Sequence, residues 1–447
     1  MKSPLRALSA ILLFVLGFSA PAADRPHIVF VLADDLGGGD LGCYEGTIAP
    51  TPNLDRLAAE GIRFTRYYSA SPICSPSRCG MITGQFPARW NITSFLQTRE
   101  GNRQCEQADY LSAAAPSLPR VLKSGGYTTA HIGKWHLGGG RDVVDPPKFA
   151  AYGYDLGLGT YESPEPAAPL GLKTTPWGNT REPQQVPRHD RTRWMVDRTI
   201  ALLRENPDKP CFVNLWLDDP HTPWVPREEP AGGRKDRQKL IRVIMEMDLQ
   251  IGRLMDAVPA NTLLIFASDN GALPTLKGER TGGLRGSKLS LYEGGIRLPF
   301  IARWPGKIPA ARVDRTTVLH AVDLLPTLTA LASLPLVDKA TGDGQDQSAV
   351  FKGTPSTRAK PLFWEYGRND QSFKYPAAPH RSPNLAMLEG NLKLLINADG
   401  TGAELYDLLT DPHETRNLAS GRPEVTSRMS AAALAWRQSL PVLPTSQ

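Results

Sequence analysis

An α/β fold with one large, buried sheet is the fold class that this chain predicts, and two features of the sequence indicate it. Short runs of apolar and β-branched residues alternate with segments of helical period, which is typical of strands buried between layers of helices. Polar residues follow these runs directly, as they do at the carboxyl ends of parallel strands. With 447 residues, 41% of them hydrophobic, the chain is long enough for a large core and an additional smaller unit.

Four strands and four helices are predicted in alternation through the first part of the chain. The predicted strands are 27–33, 128–132, 211–217 and 262–267. The predicted helices are 53–61, 117–124, 191–206 and 239–258. Segments 141–190 and 270–290 are rich in Gly, Pro and polar residues, so long loops are expected there, near the ends of the strands.

The pattern changes after about residue 335. Residues 384–396 predict a hairpin that turns at Gly390 and Asn391, and residues 404–409 predict a strand. Residues 423–440 have the period of an amphipathic helix. We therefore expect a main domain over 23–335 and a smaller C-terminal α+β subdomain over 336–447, with a small antiparallel sheet and a terminal helix.

The first 22 residues have the features of a secretory signal peptide. Lys2 and Arg6 precede an apolar run over 7–18, and residues 20–22 offer a cleavage site of small residues. A membrane anchor is the alternative, but a spanning helix needs about 18 or more apolar residues and this run is shorter. We expect removal of 1–22 and an exported protein, periplasmic or extracellular, without a stable membrane anchor.

The charge of the chain is modestly positive, with a formal net value of +6. Such an excess favours polyanionic substrates electrostatically, although an ordinary solvated surface explains it equally well. Lys and Arg do not form blocks with interleaved aromatic residues, which is the pattern of many nucleic-acid-binding surfaces. No nucleic-acid partner is therefore expected.

Five cysteines do not suffice for a disulfide scaffold in a chain of this length, and their odd number leaves at least one unpaired. We expect up to two disulfides among Cys43, Cys79, Cys105 and Cys211, with Cys79 and Cys105 as the first pair. Cys74 is set apart because an apolar stretch that predicts a helix begins beside it. The N–H groups and the dipole at a helix N-terminus favour an anion. A thiolate nucleophile is the alternative, but no histidine is close in sequence to activate it.

Polar clusters follow each of the four predicted strands. They are Asp34-Asp35, Gly133-Lys134-Trp135-His136, Asp218-Asp219-Pro220-His221 and Ser268-Asp269-Asn270-Gly271. Because ligands bind at the carboxyl ends of strands in open α/β sheets, we expect these clusters to meet in one crevice. Asp34, Asp35, Asp269 and Asn270 offer hard oxygen ligands of the kind that Ca²⁺ or Mg²⁺ prefers. A turn or a helix cap explains any one of these Asp residues, but two such pairs together predict a metal site.

Several of these motifs resemble those of the type I sulfatases. Residues 74–78 (CSPSR) with 81–84 (MITG) are similar to the family signature in which this cysteine is converted to formylglycine. Residues 126–136 resemble the second signature of the family. The runs at 27–37, 268–271 and 404–408 are also typical of it, so the resemblance covers nearly the whole mature chain. It implies the alkaline-phosphatase-like fold, a large mixed sheet flanked by helices with a smaller C-terminal α+β subdomain.

The resemblance also implies a calcium-dependent hydrolysis of sulfate esters. Asp34, Asp35, Asp269 and Asn270 would bind one calcium ion together with the modified Cys74. One hydroxyl of the hydrated aldehyde would attack sulfur and release the alcohol, and the second would then expel sulfate, a route closed to an ordinary serine. A separate formylglycine-generating maturation enzyme is implied as a partner.

Five further residues receive catalytic roles from the resemblance. Arg78 and Lys134 would hold the formylglycine hydrate, and His136 would accept its proton. His221 and Lys288 would contact the sulfate, with His221 as the proton donor to the leaving alcohol. Each has a simpler interpretation, namely a surface cation or a structural histidine, and only their occurrence as a set favours catalysis.

The substrate implied by resemblance to bacterial N-acetylgalactosamine-6-sulfatase-like and polysaccharide sulfatases is a sulfated carbohydrate. A phosphodiesterase or phosphonate monoester hydrolase of the same superfamily is the alternative, because some of these share the Cys-x-Pro-x-Arg signature. A non-catalytic binder of sulfated glycans would require the loss of a core residue, and none is missing. Asp218 and Asp219 depart from the pattern of many relatives, and either bind a sugar hydroxyl or pair with a nearby arginine.

Overall fold

The computed structural model describes residues 25–170, 185–231, 235–335, 342–372 and 380–443. The predicted signal peptide, 1–22, lies outside the described residues. Within these ranges no helix combines the length and the apolar composition that crossing a membrane requires. The division of the chain into 23–335 and 336–447 stays a prediction.

The described residues form two sheets. The strands are β1 (His27–Ala33), β2 (Ile62–Tyr68), β3 (Thr128–Lys134), β4 (Leu156–Thr160), β5 (Cys211–Trp216), β6 (Thr262–Ser268), β7 (Arg297–Arg303), β8 (Arg312–Asp314), β9 (Leu319–His320), β10 (Leu362–Glu365), β11 (Leu385–Glu389), β12 (Leu392–Ile396) and β13 (Glu404–Asp407). The large sheet has the order β4-β3-β5-β1-β6-β7-β2-β8, and β9 pairs with β2. Strand β7 is antiparallel to both of its neighbours, whereas the other pairs are parallel. The predicted large mixed sheet is therefore confirmed.

Helices cover both faces of this sheet. They are α1 (Pro52–Ala59), α2 (Cys74–Thr83), α3 (Arg99–Gln104), α4 (Leu118–Ser124), α5 (Arg191–Glu205), α6 (Lys235–Ala257), α7 (Glu293–Ile296), α8 (Leu324–Leu331), α9 (Ser348–Phe351) and α10 (Pro423–Gln438). Successive residues of β1 point to opposite faces, because side chains alternate along a strand. Val29 and Val31 join one apolar cluster with α1, α5 and α6, and Phe30 and Leu32 join the other with α2, α4 and α8. The core thus has two layers, one on each side of the sheet.

The four predicted strands and four predicted helices correspond to β1, β3, β5, β6 and to α1, α4, α5, α6 within a few residues. The prediction of one long loop over 141–190 is wrong, because this segment contains β4, which pairs in parallel with β3. Glycines interrupt the apolar pattern of β4 and conceal it. A Cβ on Gly157 would lie 2.0 Å from a ring carbon of Phe149, so this strand needs glycine for close packing.

The smaller sheet has the antiparallel order β10-β11-β12-β13. The predicted hairpin, the strand after it and the terminal helix are confirmed as β11–β12, β13 and α10. Ala386 and Leu388 of β11 pack against residues of the main body, whereas Leu385 and Met387 pack against α10. One face of this sheet is therefore docked on the large sheet's layers, and the other is covered by the last helix.

The predicted disulfides are wrong, because all five cysteines are free thiols. Cys79 and Cys211 belong to apolar clusters on opposite faces of the large sheet. Cys43 is partly buried against the second of these clusters. Cys105 follows α3, where its sulfur accepts a 3.5 Å hydrogen bond from Gln97 Nε2. The thiols thus serve as small buried side chains in separate places.

Candidate active site

The carboxyl ends of five strands meet at one edge of the large sheet. Strands β1, β3, β5 and β6 pair in parallel there. Strand β7 is antiparallel to both β6 and β2, so β2 runs in the same direction as β6. The polar clusters after β1, β3, β5 and β6 lie in mutual contact at this edge. The predicted convergence in one crevice is therefore confirmed.

Cys74 lies at the centre of this crevice, as the first residue of α2, with 2% of its surface exposed. Its sulfur is 3.4 Å from Lys134 Nζ, 3.7 Å from Lys288 Nζ and 3.8 Å from Asp34 Oδ1. Burial raises the pKa of the Cys74 thiol to about 11, although the two lysines oppose the rise. An unmodified thiol is therefore protonated at neutral pH.

Two carboxylates flank the thiol, each paired with one of the lysines. Lys134 Nζ donates to Asp34 Oδ2 at 2.5 Å, and Lys288 Nζ donates to both oxygens of Asp35 at 2.6 and 2.7 Å. Burial disfavours the charged carboxylates, but these ammonium groups outweigh it and hold the pKa of Asp34 and Asp35 below the ordinary value. Both residues are therefore ionised and fully buried.

Asp269 and Asn270 complete the acidic side of the crevice. Asp269 Oδ1 accepts from the backbone N–H of Asp35 at 3.2 Å, and Asn270 Nδ2 donates to Asp35 Oδ1 at 2.7 Å. Burial and the charge of Asp34 raise the pKa of Asp269 to about 6. Asn270 Oδ1 is buried and accepts no hydrogen bond from any described residue. This oxygen is an acceptor available to a cation.

A second grouping of possible metal ligands overlaps with the predicted one. Ligand atoms of Asp34, Asp35, Cys74 and His221 all lie within 4.8 Å of one another. Asp269 is not in that group, and its Oδ2 accepts from Arg78. Both groupings contain the two carboxylates after β1, so these carry the argument for a cation.

Arg78 is fully buried one turn after Cys74 along α2. Its Nε and Nη2 donate to Asp269 Oδ2 at 3.0 and 2.7 Å, and its Nη1 donates to the backbone oxygen of Lys134 at 2.8 Å. The guanidinium also lies over the ring of Trp216, 5.2 Å from its centroid. The interpretation of Arg78 as a helix-surface cation is therefore wrong.

His136 borders the crevice in the left-handed region, with φ of 53°. Its backbone N–H donates to Tyr161 O at 3.0 Å, and its Nε2 lies 3.1 Å from Leu96 O. A carbonyl accepts only, so Nε2 carries the proton and Nδ1 has a lone pair. Nδ1 is buried without a hydrogen-bond partner among the described residues. Burial and the charge of Lys134 hold the pKa of His136 well below its ordinary value.

His221 also lines the crevice, close to the two aspartates after β1. Its Nδ1 lies 2.6 Å from Thr222 O, and its Nε2 lies 3.5 Å from Asp35 Oδ2. Burial lowers the pKa of His221 to about 4, although the two aspartates after β1 oppose the change. The imidazole is therefore neutral at physiological pH in the protein alone.

Asp218 and Asp219 pair with arginines, which decides between their two interpretations. Asp218 accepts from Arg191 at 3.1 Å and from Thr160 at 2.5 Å. Asp219 accepts from Arg188 at 2.6 Å. Neither aspartate lines the pocket. Their effect on the site is structural, through the loop that carries His221.

A pocket of about 310 Å³ opens above Cys74 and is lined by all of the predicted cationic residues except the buried Arg78. Several residues that line this pocket were not predicted from the sequence. They are Phe95, Gln97, Gln104, Arg141, Tyr161, Leu273, Tyr366, Gln371 and Ser372. The Gly-Gly-Gly-Arg run at 138–141 was a signal for Arg141, whereas no local signal marks residues 366–372, which lie in the C-terminal part of the chain.

Comparison with known proteins agrees with this geometry. The sulfatase family model matches residues 26–334, and the model for the C-terminal part of N-sulphoglucosamine sulphohydrolase matches residues 287–435. The chain is 29% identical to N-acetylgalactosamine-6-O-sulfatase of Bacteroides thetaiotaomicron, covering 91% of this chain and 92% of the relative. It is 30% identical to human arylsulfatase A, covering 95% of this chain and 90% of the relative.

Solved structures show the same fold. One from Bacteroides thetaiotaomicron, connected with the metabolism of multiple glycosaminoglycans, has a TM-score of 0.74 and 25% identity over 93% of this chain and all of that one. A second, in complex with a neocarrahexaose, has a TM-score of 0.76 at 24% identity, covering 94% and 95% of the two chains. The fold is therefore the alkaline-phosphatase-like fold of sulfatases. By the family match, the curated relatives and this fold, the chain belongs to the sulfatase family and is a sulfatase enzyme.

Proposed function

We propose that this sulfatase removes sulfate from a sulfated carbohydrate, with a formylglycine made from Cys74 and one calcium ion. One observation carries the proposal: the sulfur of Cys74 lies at a helix N-terminus within 3.7 Å of two lysine ammonium groups. Positive charge from two lysines beside the nucleophile position suits a substrate that is an anion. The curated relatives named as N-acetylgalactosamine-6-sulfatases support a sugar as the alcohol part.

Conversion of Cys74 is supported by the state of its thiol. Burial keeps the unmodified side chain protonated, with a pKa of about 11, so it is a poor nucleophile as it stands. A formylglycine hydrate would supply two hydroxyl groups at the same position, one to attack sulfur and one to regenerate the aldehyde. The proposal includes a maturation enzyme that performs this conversion.

The residues after β1 and β6 fit a calcium ion. Asp34, Asp35 and Asp269 offer carboxylate oxygens, and Asn270 Oδ1 is a buried acceptor without a partner among the described residues. Ammonium groups of two lysines lie against the first two carboxylates, and this pairing supports a place for positive charge there. A calcium ion would supply charge that polarises a sulfate oxygen.

The remaining side chains would orient groups and move protons. Arg78 and Lys134 would hold the hydrate, because Lys134 Nζ is within 3.4 Å of the side chain at position 74 and Arg78 anchors the backbone of Lys134. His136 would accept a proton at Nδ1, since Nε2 is committed to Leu96 O. We assign Lys288 to the sulfate and His221 to the leaving alcohol, because a bound sulfate would favour the protonated imidazole.

The test is sulfate release from oligosaccharides sulfated at defined positions, by protein produced with a maturation enzyme and checked by mass for conversion of Cys74. We expect release from one linkage and none from a Cys74→Ala variant. If converted protein releases no sulfate but hydrolyses phosphate esters, the proposed reaction is wrong.

We also propose that the protein is exported after removal of 1–22, as the predicted signal peptide indicates. The test is the N-terminal sequence of the protein recovered outside the cytoplasm, which we expect to begin near Ala23. A mature chain that begins at Met1 would contradict this proposal.

A further inference from the structure

One cation of the pocket stands apart from the group around Cys74. Arg141 lines the same pocket as Cys74, His221 and Lys288, and 25% of its side chain is exposed. The two lysines of the site pair with Asp34 and Asp35 after β1. Arg141 takes no part in that network, so the proposed chemistry leaves it without a role.

The guanidinium of Arg141 is held from behind. Its Nε donates to Glu162 Oε1 at 2.6 Å, and only 2% of the Glu162 side chain is exposed. Among the residues that the structure describes, no acceptor is bonded to Nη1 or Nη2 of Arg141. The two terminal nitrogens therefore form a fork whose direction is set by a buried carboxylate.

The backbone before Arg141 is built to hold it in this place. Gly138, Gly139 and Gly140 have φ values of 118°, 101° and 77°, which side chains rarely tolerate. A Cβ on Gly139 would lie 2.5 Å from the carbonyl carbon of Ser163, so the loop is pressed against the segment that carries Glu162. The position of Arg141 is thus determined by packing.

The pocket's other lining residues, apart from the group around Cys74, are uncharged. Gln97, Gln104 and Gln371 offer amide groups, and Phe95 and Tyr366 offer aromatic surface. Amides and aromatic faces suit the hydroxyls and the apolar face of a sugar ring. Among the described residues that line the pocket, Arg141 is the Lys or Arg side chain outside the group around Cys74, and it remains for a charged substituent.

We propose that Arg141 binds a second anionic group of the substrate, a carboxylate or a further sulfate, and so selects carbohydrates that carry more than the scissile sulfate. The inference rests on the proposed function only in that the pocket takes a sulfated carbohydrate. An arginine fork matches the two oxygens of a carboxylate or sulfate, and charge-assisted pairs of this kind are stronger than neutral hydrogen bonds.

The experiment measures binding in a Cys74→Ala background, where no turnover interferes. Three ligands are titrated by calorimetry: N-acetylgalactosamine 6-sulfate, the 4,6-disulfate, and a disaccharide that joins the 6-sulfated sugar to a uronate. We expect at least one doubly charged ligand to bind about 10-fold or more tightly than the first, and the better of the two identifies sulfate or carboxylate as the second group.

Arg141→Gln should remove this preference, and Arg141→Lys should keep part of it, because the charge remains without the fork. Arg103→Gln is the matched control, since Arg103 lies on nearby α3, is 70% exposed and pairs with Glu100. Thermal unfolding checks that each variant is folded, and the lysine variant keeps the test valid if the glutamine variant is not.

A preference that persists in folded Arg141→Gln protein, or no preference in the parent, overturns the inference. Binding of none of the three ligands overturns it as well. Sulfate release by converted protein tests the proposed function separately. If the preference depends on Arg141 but the converted protein hydrolyses nothing, the proposed reaction is wrong and the anion site stands. If the converted protein releases sulfate but no preference depends on Arg141, the anion site is wrong and the proposed reaction stands.

Discussion

Lys134 places its ammonium group beside the proposed nucleophile position. Its Nζ lies 2.5 Å from Asp34 Oδ2 and 3.4 Å from Cys74 Sγ, and its backbone oxygen accepts from Arg78. The charge is therefore placed where a sulfate ester would react.

Replacement of Lys134 by methionine should lower kcat/KM of the converted enzyme by about 10²- to 10³-fold, the range for loss of one preorganised donor. The measurement is the rate of sulfate release from one substrate. Lys123→Met is the matched control, because Lys123 precedes the same strand and is 45% exposed beside Asp155. Activity of the Lys134 variant within threefold of the parent would refute the assigned role.

Glu162 gives a prediction for the dependence of stability on pH. Burial raises its pKa from 4.5 to about 7, although Arg141 opposes the rise. The folded protein therefore holds this proton more tightly than the unfolded chain. The stability that the protonated Glu162 contributes is fully present below about pH 4.5 and is lost as pH rises through about 7. Glu162→Gln removes the titration. Its stability relative to the parent should increase by roughly 2–3 kcal/mol between pH 5 and pH 8.

Urea unfolding of both proteins across that pH range is the measurement. Glu60→Gln serves as the control because Glu60 is 40% exposed, beside Arg303. A constant difference between the Glu162→Gln variant and the parent would show that Glu162 does not titrate in this range.

At the level of residues, the sequence allowed prediction of the groups that follow strands and of those within signatures. The positions of Cys74, Lys134 and His221, after a predicted strand or at a helix start, indicated that they meet in one crevice. Their proposed catalytic roles came from the resemblance to the sulfatase signatures. Arg141 and Tyr366 were not found. They reach the pocket through a glycine-rich loop and through the docking of the smaller sheet, and neither leaves a periodic pattern in the chain.

Among the elements, the loop after β5 is held at three points by Arg188. Arg188 Nη1 donates to Asp219 Oδ1 at 2.6 Å, and its Nη2 donates to the backbone oxygens of Asp218 and His221 at 2.9 and 3.3 Å. The backbone oxygen of Asp219 in turn accepts from the N–H of Asp34 at 3.0 Å. Arg188 is therefore a positioning residue for the loop that carries His221.

Arg188→Met should lower kcat about 10- to 100-fold with a smaller change in KM, since misplacement of a proton donor affects the reaction more than binding. Steady-state kinetics of converted protein make the measurement. Arg193→Met is the control because Arg193 lies on the exposed side of α5. Equal effects of the two substitutions would contradict the positioning role.

Prediction of the elements succeeded where strands were uninterrupted apolar runs and failed where they were not. β2 (Ile62–Tyr68) alternates apolar residues with arginine and threonine, and β7 (Arg297–Arg303) contains a proline near its start. Their strand structure comes from pairing with each other and with β6, which local propensity does not contain.

For the whole molecule, the smaller sheet is joined to the main body by a buried charge cluster. Lys393 Nζ lies 2.8 Å from Glu293 Oε1 and 2.9 Å from Glu414 Oε1, and all three side chains are almost fully buried. Lys393→Met removes the cation shared by two buried carboxylates, and breaking a buried ion pair typically costs about 3–5 kcal/mol. We expect a loss of that size in urea unfolding, against little change for the exposed Lys352→Met. Parent-like stability of Lys393→Met would contradict this.

Metal binding should likewise raise the stability of the whole molecule. A ligand that binds only the folded state at 100 times its Kd stabilises by about 2.7 kcal/mol. Calcium should therefore raise the thermal midpoint of chelator-treated protein, and Asp35→Asn should abolish the rise. Asp256→Asn is the control, with a side chain that is 68% exposed. An equal rise in the Asp35→Asn variant would place the ion elsewhere.

The burial of α2 has a consequence for the order of events in the life of the protein. All ten residues of this helix are buried, and its first residue is Cys74. An enzyme that modifies Cys74 must reach this residue, which is 2% exposed in the folded protein. If Cys74 is the converted residue, conversion belongs to the newly made chain, before this helix closes. The specific activity of a preparation would then depend on the relative rates of modification and folding. Each molecule would be modified before it folds or not at all.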